Sequence, residues 1–277
     1  MTHVAVAVDG SEPSRRAVEW AADEAARRGV PLRVVHASLW ERYEGEDDDF
    51  ARARLAARRL ASDFAAHASS RRPEVTVGTE VIGDETVPAL LAAGSEAALL
   101  VMGSRGHGGF EGLLVGSVTL RVTSRADFPV VVVRGEEPPP PRGRVVLGVG
   151  THEFPGPAAE FAAQQARARS AVLQVVHAWQ PDVDFSGISV VLDPGRAQQR
   201  AQALLASVTA GLADTAPDTE VGADAVPGPA APALLHAADA ADLLVLGSRR
   251  RHGHLGAVTH ALLHHARCPV AVVPLPR

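Results

Sequence analysis

Leu99-Leu100-Val101-Met102-Gly103-Ser104-Arg105 reappears 144 residues later as Leu243-Leu244-Val245-Leu246-Gly247-Ser248-Arg249. Each version is a short apolar run closed by Gly-Ser-Arg. Such a run, bounded by a turn signal, reads as a strand buried on both faces of a parallel sheet. Other segments recur around it in the same order. Val34-Val35-His36-Ala37 returns as Val175-Val176-His177-Ala178, and Glu19-Trp20-Ala21 as Glu160-Phe161-Ala162. Pro88-Ala89-Leu90-Leu91 returns as Pro232-Ala233-Leu234-Leu235, and Phe128-Pro129-Val130 as Cys268-Pro269-Val270. Order and spacing persist along all 277 residues, so the chain is a tandem duplication. Between the copies lies Pro138-Pro139-Pro140-Pro141, a polyproline spacer. The expected domains are therefore 1–135 and 144–277.

Within copy one, strands are expected over 3–8, 32–37, 75–82, 98–102 and 129–134. Helices are expected over 14–28, 50–69, 85–94 and 116–125. Gly29 stands where a left-handed C-cap is wanted. Phe50, Leu60 and Phe64, with Ala57 and Ala61, form a helical stripe in the second helix. Alternating strands and helices predict an α/β fold, one doubly wound five-stranded parallel sheet per copy. Ligands of such sheets bind beyond the carboxyl ends of the strands, near the switch point. That directs attention to Asp9, Ala37 and the residues after Met102.

Composition removes several chemistries. All 27 basic residues are arginine. Without lysine there is no P-loop, no kinase strand lysine and no Schiff base. The absence also argues against a response regulator, which shares the general fold. A formal charge of −5 argues against a nucleic-acid partner. The single cysteine, Cys268, forms no internal disulfide and fits a reducing compartment. The start of the chain has no basic segment of the secretory kind, and no apolar stretch approaches the ~20 residues of a membrane span. A cytoplasmic protein without a membrane partner is expected. No G-x-S-x-G elbow marks a hydrolase, and G-x-G-x-x-G is missing after the first strand.

The richest segment runs from Gly103 to Thr119. Gly103, Gly106, Gly116 and Ser117 make G-x2-G-x9-G-S between a buried strand and a helix. Glycines let backbone N–H groups approach an anion closely, and a helix N-terminus favours negative charge. The same residues also fit plainer roles. The glycines make a turn, Ser117 is an N-cap, Asp9 caps the helix near Pro13, and Arg105 points to solvent.

The loop, the Val8-Asp9-Gly10-Ser11 start and the Pro-Val-Val-Val-Val end (129–133) together resemble the universal stress protein family. The tandem arrangement and the tail from His264 to Val270 are similar to its two-domain actinobacterial members. The resemblance implies an adenine nucleotide alpha hydrolase-like sheet in each copy, with ATP, accompanied by Mg²⁺, at its carboxyl edge. It implies that Ala7, Val8 and Asp9 lie near adenine and ribose, and that Ala37 contacts the base. It implies that Met102, Gly103, Arg105 and Gly106, with Gly116, Ser117, Val118 and Thr119, hold ribose and phosphates. It implies a regulatory role in the stress response with slow or no hydrolysis, and no catalytic residue is assigned. Final strands 129–134 and 269–274 are expected to pair as an internal pseudo-dimer, and chains to associate further as a homo-oligomer. The alternatives are a cyclic-AMP binder, a genuine ATPase or nucleotidyl transferase, and a dimerising protein without nucleotide.

Copy two departs from the pattern. Arg250 replaces Gly106, Ala257 replaces Ser117, and Gly150 replaces Asp9. Gly103 to Gly116 is thirteen steps, whereas Gly247 to Gly256 is nine. Copy two is therefore expected not to bind ATP in the same manner. Its basic loop, Arg249 to His254, reads as solvated, with a different anion as the alternative. His260 and His264 stand at i, i+4, but without paired cysteines or H-E-x-x-H no metal is expected.

Overall fold

Segments that are apolar on both faces form the buried strands of the fold. In the computed structural model, which describes residues 3–38, 47–106, 114–134, 141–151, 156–184, 191–249 and 254–276, the chain divides into two units, Met1–Arg134 with Arg250–Leu255, and Gly135–Arg249 with Gly256–Arg277. Unit 1 contains β1 (Val4–Ala7), α1 (Glu12–Arg28), β2 (Leu32–Ala37), α2 (Asp47–Arg71) and β3 (Val77–Ile82). It continues with α3 (Thr86–Ser95), β4 (Leu99–Gly103), α4 (Ser117–Arg125) and β5 (Val130–Val133). All strand pairs are parallel, in the order β3-β2-β1-β4-β5. The chain winds outward from β1 to β3, then returns to β4 on the other side. The switch point therefore lies between β1 and β4.

Every residue of β1, β4 and β5 is buried, as their unbroken apolar runs require. β3 differs from expectation. It starts at Val77, pairs only with β2, and leaves Gly78 and Thr79 exposed.

Helix α1 lays a seam of Ala17, Ala21, Ala22 and Ala25 on the sheet, each wholly buried. Methyl side chains let the helix axis come close to the strands. The helix begins two residues earlier than its apolar pattern predicts, because Ser11 caps it: the Ser14 N–H donates to Ser11 Oγ. It ends at Gly29, whose φ of 62° is the left-handed C-cap. The far end of α2 is tied back to α1 by charge. Arg71 donates to both Asp23 oxygens (3.0 and 2.8 Å), and Arg72 Nε donates to Asp23 Oδ1 at 2.7 Å. The apolar stripe of α2 buries its small members, Ala57, Ala61 and Ala68, while Leu60 and Phe64 stay half-buried.

Unit 2 repeats the architecture with β6 (Arg144–Gly148), α5 (Gly156–Arg169), β7 (Val172–Trp179), α6 (Pro194–Thr215) and β10 (Val221–Pro227). It closes with α7 (Ala230–Ala238), β11 (Leu243–Ser248), α8 (Ala257–His265) and β12 (Val270–Pro274). Its parallel order is β10-β7-β6-β11-β12, with the switch point between β6 and β11. A small antiparallel ribbon of β8 (Asp182–Asp184) and β9 (Val191–Asp193) precedes α6. At three residues each, these strands are too short to leave a periodic signal. Among the described residues no helix is long and apolar enough to cross a membrane.

Candidate functional site

Residues distant in sequence meet at the carboxyl edge of unit 1 because β1 and β4 are neighbours. The end of β1 is fixed first. Val8 N–H donates to Val35 O at 2.9 Å. His36 Nδ1 lies 2.8 Å from Val8 O; a carbonyl only accepts, so this ring nitrogen carries the proton. Asp9 follows, held by its neighbour rather than capping α1 itself. Ser11 donates to Asp9 Oδ1 from its backbone N–H (3.0 Å) and from its hydroxyl (2.6 Å). The same hydroxyl oxygen lies 3.4 Å from Arg105 O, which draws the β1–α1 turn against the loop after β4.

Two glycines allow that approach. A Cβ on Gly103 would stand 2.7 Å from the Pro13 carbonyl, so the end of β4 rests directly on the backbone opening α1. A Cβ on Gly106 would collide with Asp9 Oδ2. The acid after β1 and the second glycine of the loop therefore touch, as a strand-end cradle requires.

The loop returns at α4. Gly116 N–H donates to Ser104 O at 2.8 Å, and Thr119 Oγ1 donates to Gly103 O at 3.0 Å. Thr119 is buried and its hydroxyl proton is committed to this tie, so what it offers outward is its backbone N–H. Gly116, not Ser117, is the N-cap, and among the described residues no side chain caps the helix. The amides of Ser117, Val118 and Thr119 are those an α-helix leaves without intrahelical partners. Ser117 is exposed at the start of the helix.

Around this edge Ala7, Val8 and Met102 are buried, Ala37 and Val118 are half-buried, and Arg105 and Gly106 are exposed. Residues 107–113, inside the x9 segment, lie outside the described residues. Three contributors carry little sequence signal: Ser11 as organiser of Asp9, His36 as holder of Val8 O, and Pro13 beneath Gly103. His36 left a trace through its recurrence as His177, and Ser11 stood in the quoted Val8-Asp9-Gly10-Ser11 start without its role being legible.

Unit 2 keeps the frame and loses the contents. Val149 N–H donates to Val176 O at 2.9 Å, and His177 Nδ1 lies 2.8 Å from Val149 O. Gly150 then stands in open space where unit 1 has its acid. Gly256 caps α8 without a side chain, as Gly116 caps α4. Gly247 is faced by the Leu275 side chain rather than by a helix backbone. Arg250 to Gly253 lie outside the described residues. His260 and His264 stack with ring centroids 4.4 Å apart, and no group of three or more His, Cys, Asp or Glu side chains suited to a metal occurs among the described residues.

Two doubly wound units in one chain, the first with a glycine cradle at its switch point, define a tandem α/β protein of the parallel-sheet class. The family model described as "Universal stress protein family" matches it twice, over residues 1–134 and 141–274. Universal stress protein Rv1996 of Mycobacterium tuberculosis is 32% identical, over 99% of this chain and 95% of its own. Rv2005c of the same organism is 31% identical, over 97% and 96%. The crystal structure of a universal stress protein from Archaeoglobus fulgidus shares the fold, with a TM-score of 0.75, 98% coverage of both chains and 18% identity. This chain belongs to the universal stress protein family.

Proposed function

We propose that the chain is a regulatory nucleotide-binding protein with one competent adenine-nucleotide site, at the carboxyl edge of unit 1. The observation that carries this reading is the meeting of Asp9, Gly106 and the uncapped start of α4 at the switch point. Unpaired amides and a positive helix end suit phosphate oxygens, and neither needs a lysine. The Asp9 carboxylate suits ribose hydroxyls, which donate. Ala7, Val8 and Ala37 offer small apolar surface to the base. ATP is the assigned ligand, with Mg²⁺ on its phosphates. Its binding shifts conformation or assembly, and turnover is slow. The domain covering 144–277 serves as a partner without a nucleotide of its own. A cytoplasmic location goes with this role.

The direct test is mass spectrometry of the small molecule released when the purified protein is denatured. ATP is expected from the native chain and not from Gly116→Val combined with Ser117→Ala. Retention by that variant overturns the site. Equilibrium dialysis should give one nucleotide per chain; two would overturn the inequality of the units. Displacement of labelled ATP by micromolar cyclic AMP would favour the cyclic nucleotide instead.

A further inference from the structure

The sheet face beneath the third helix of each unit is built differently in the two units. In unit 1, α3 packs on β1 and β2, and β3 forms the edge beyond β2. Arg33 of β2 reaches across this face. Its Nη1 lies 3.3 Å from Glu80 Oε2 on β3 and 3.4 Å from Glu96 Oε2, just past the end of α3. One guanidinium thus joins the edge strand to the helix end. In unit 2 the corresponding residues are Gln174, Asp224 and Ala240. Gln174 Nε2 donates to Asp224 Oδ2 at 2.9 Å, along the sheet and not across to the helix. Gly222 makes room for that course, because a Cβ there would collide with Gln174 Oε1.

Where unit 1 has its bridge, unit 2 has a cavity of about 510 Å³, a size that suits a small organic ligand. Val146, Val176 and Val226 give it an apolar floor, and Ala233 and Ala237 of α7 give it a wall of methyl groups. The parallel register sets Gly148, Val176 and Asp224 level on successive strands, and alternate residues share a face, so the Asp224 carboxylate stands over this floor. Gln174 orients it through Oδ2. Among the described residues Asp224 has no ion-pair partner, and Oδ1 is left to accept. Arg144 lines the opposite end, four residues before Gly148 on β6, or about 13 Å down the strand. Asp239, at the same end of α7, lies 3.8 Å from Arg267 Nε.

We propose that this cavity of unit 2 binds a small organic cation, an ammonium or guanidinium group on an apolar body, whose charge takes at Asp224 the place that Arg33 holds at Glu80 in unit 1. The apolar body covers Val176 and Val226, and the head group donates a charge-assisted hydrogen bond to the oriented carboxylate. Unit 1 fills the position from its own chain, and unit 2 leaves it to a ligand. The site lies under α7, away from the glycine loop of unit 1, and does not depend on what that loop binds.

Titration of the full chain, methyl-labelled at valine and followed by NMR, tests this with three probes of one shape: phenethylammonium, 2-phenylethanol and 3-phenylpropanoate. Wild type should bind the ammonium at least ~10-fold more tightly than the alcohol or the carboxylate, the scale of a charge-assisted hydrogen bond, with shifts at the Val176 and Val226 methyls. Asp224→Asn should weaken the ammonium by about 10-fold and leave the alcohol within about twofold. Gln174→Arg combined with Ala240→Glu, which copies the bridge of unit 1, should abolish binding of the ammonium. A parallel thermal melt should show all three proteins folded. Equal binding of ammonium and alcohol, tighter binding of the carboxylate, or an unchanged ammonium affinity in Asp224→Asn would overturn the proposal. So would shifts confined to methyls outside the cavity, full binding by the bridged variant, or no binding of any probe to wild type.

Discussion

Unit 1 and unit 2 differ in two ways, and the two kinds of difference have different meanings. Inside the units, substitutions come in compensating sets. Gly94 of α3 lies beneath the Phe128 ring, so closely that a methyl group there would overlap it. Unit 2 has Ala238 and Cys268 at these positions, both buried. A ring over a bare backbone has been exchanged for a methyl and a thiol, which removes the clash a methyl would meet and fills part of the space the ring took. Elsewhere the contact itself is kept: Glu24, wholly buried on α1, accepts from Arg28 four residues on, and Gln165 accepts from an unchanged arginine, Arg169, at the same place on α5. At the carboxyl edge the changes run in one direction. Asp9 and Gly106, which touch in unit 1, become Gly150 and Arg250, and Ser117 and Arg134 become Ala257 and Pro274, so the acid, the hydroxyl and the close glycine are all gone. Packing demands that neighbours change together. Under the proposed function, a unit without a nucleotide has no use for these residues, and that is the reading the predictions below test.

The largest effect that tests this contrast is in the core. Gly94→Ala should destabilise unit 1 by about 3 kcal/mol, since the ring beneath is rigid. Phe128→Cys alone should cost about as much by opening a cavity. The double variant, which copies unit 2, should cost clearly less than the sum in urea unfolding. Simple additivity would show that the two positions do not compensate.

Next comes the charged tie between α1 and α2. Burial alone would raise the pKa of Asp23, but hydrogen bonds and charge from Arg71 and Arg72 outweigh it and hold the carboxyl below its ordinary 3.8. A carboxyl depressed in the folded state contributes fully above that ordinary value and loses its contribution as pH falls through the lowered one. Asp23→Asn should therefore cost about 2 kcal/mol at pH 7 and progressively less below about pH 4. Unit 2 has Gln164, Thr215 and Ala216 at the corresponding positions, so no such step should arise there. A penalty in Asp23→Asn that stays constant down to pH 2 would remove the ion pair as its cause.

At the edge, Gly106→Ala should weaken ATP binding about tenfold, or ~1.4 kcal/mol, by displacing Asp9, with little change in the unfolding midpoint. Unfolding with full binding in the remaining folded fraction would make Gly106 a folding residue instead. The smallest effect is expected from Glu24→Gln. Because Gln165 already fills the same place, the cost should stay below about 1 kcal/mol in a chemical melt. A loss of several kcal/mol would mean that the two helices are not equivalent after all.

Much of this was legible in the chain itself. The duplication, the strand cores and the Gly29 stop follow from short-range pattern, because periodicity and turn chemistry act over a few residues. The role of Asp9 was not legible. Asp9 and Ser11 are both good caps by composition, and the extended backbone of Ser11 (φ −75°, ψ 159°) decides between them. The exposure of β3 was hidden because its Val and Ile residues mark a strand without stating how far its faces are covered. Leu55 makes the same point: it sits on a helix that buries Ala57 and Ala61 beside it, yet it remains 49% exposed.

The amino-acid sequence by itself determined a doubled α/β chain, a glycine-rich turn without lysine, and a second copy in which that turn is altered. Those facts depend on residue type and local spacing. Tertiary structure alone decided that Asp9 meets Gly106 and that Gly103 rests on Pro13. Each of these contacts joins segments that become neighbours only when β4 inserts between β1 and β5, and no local pattern encodes that order.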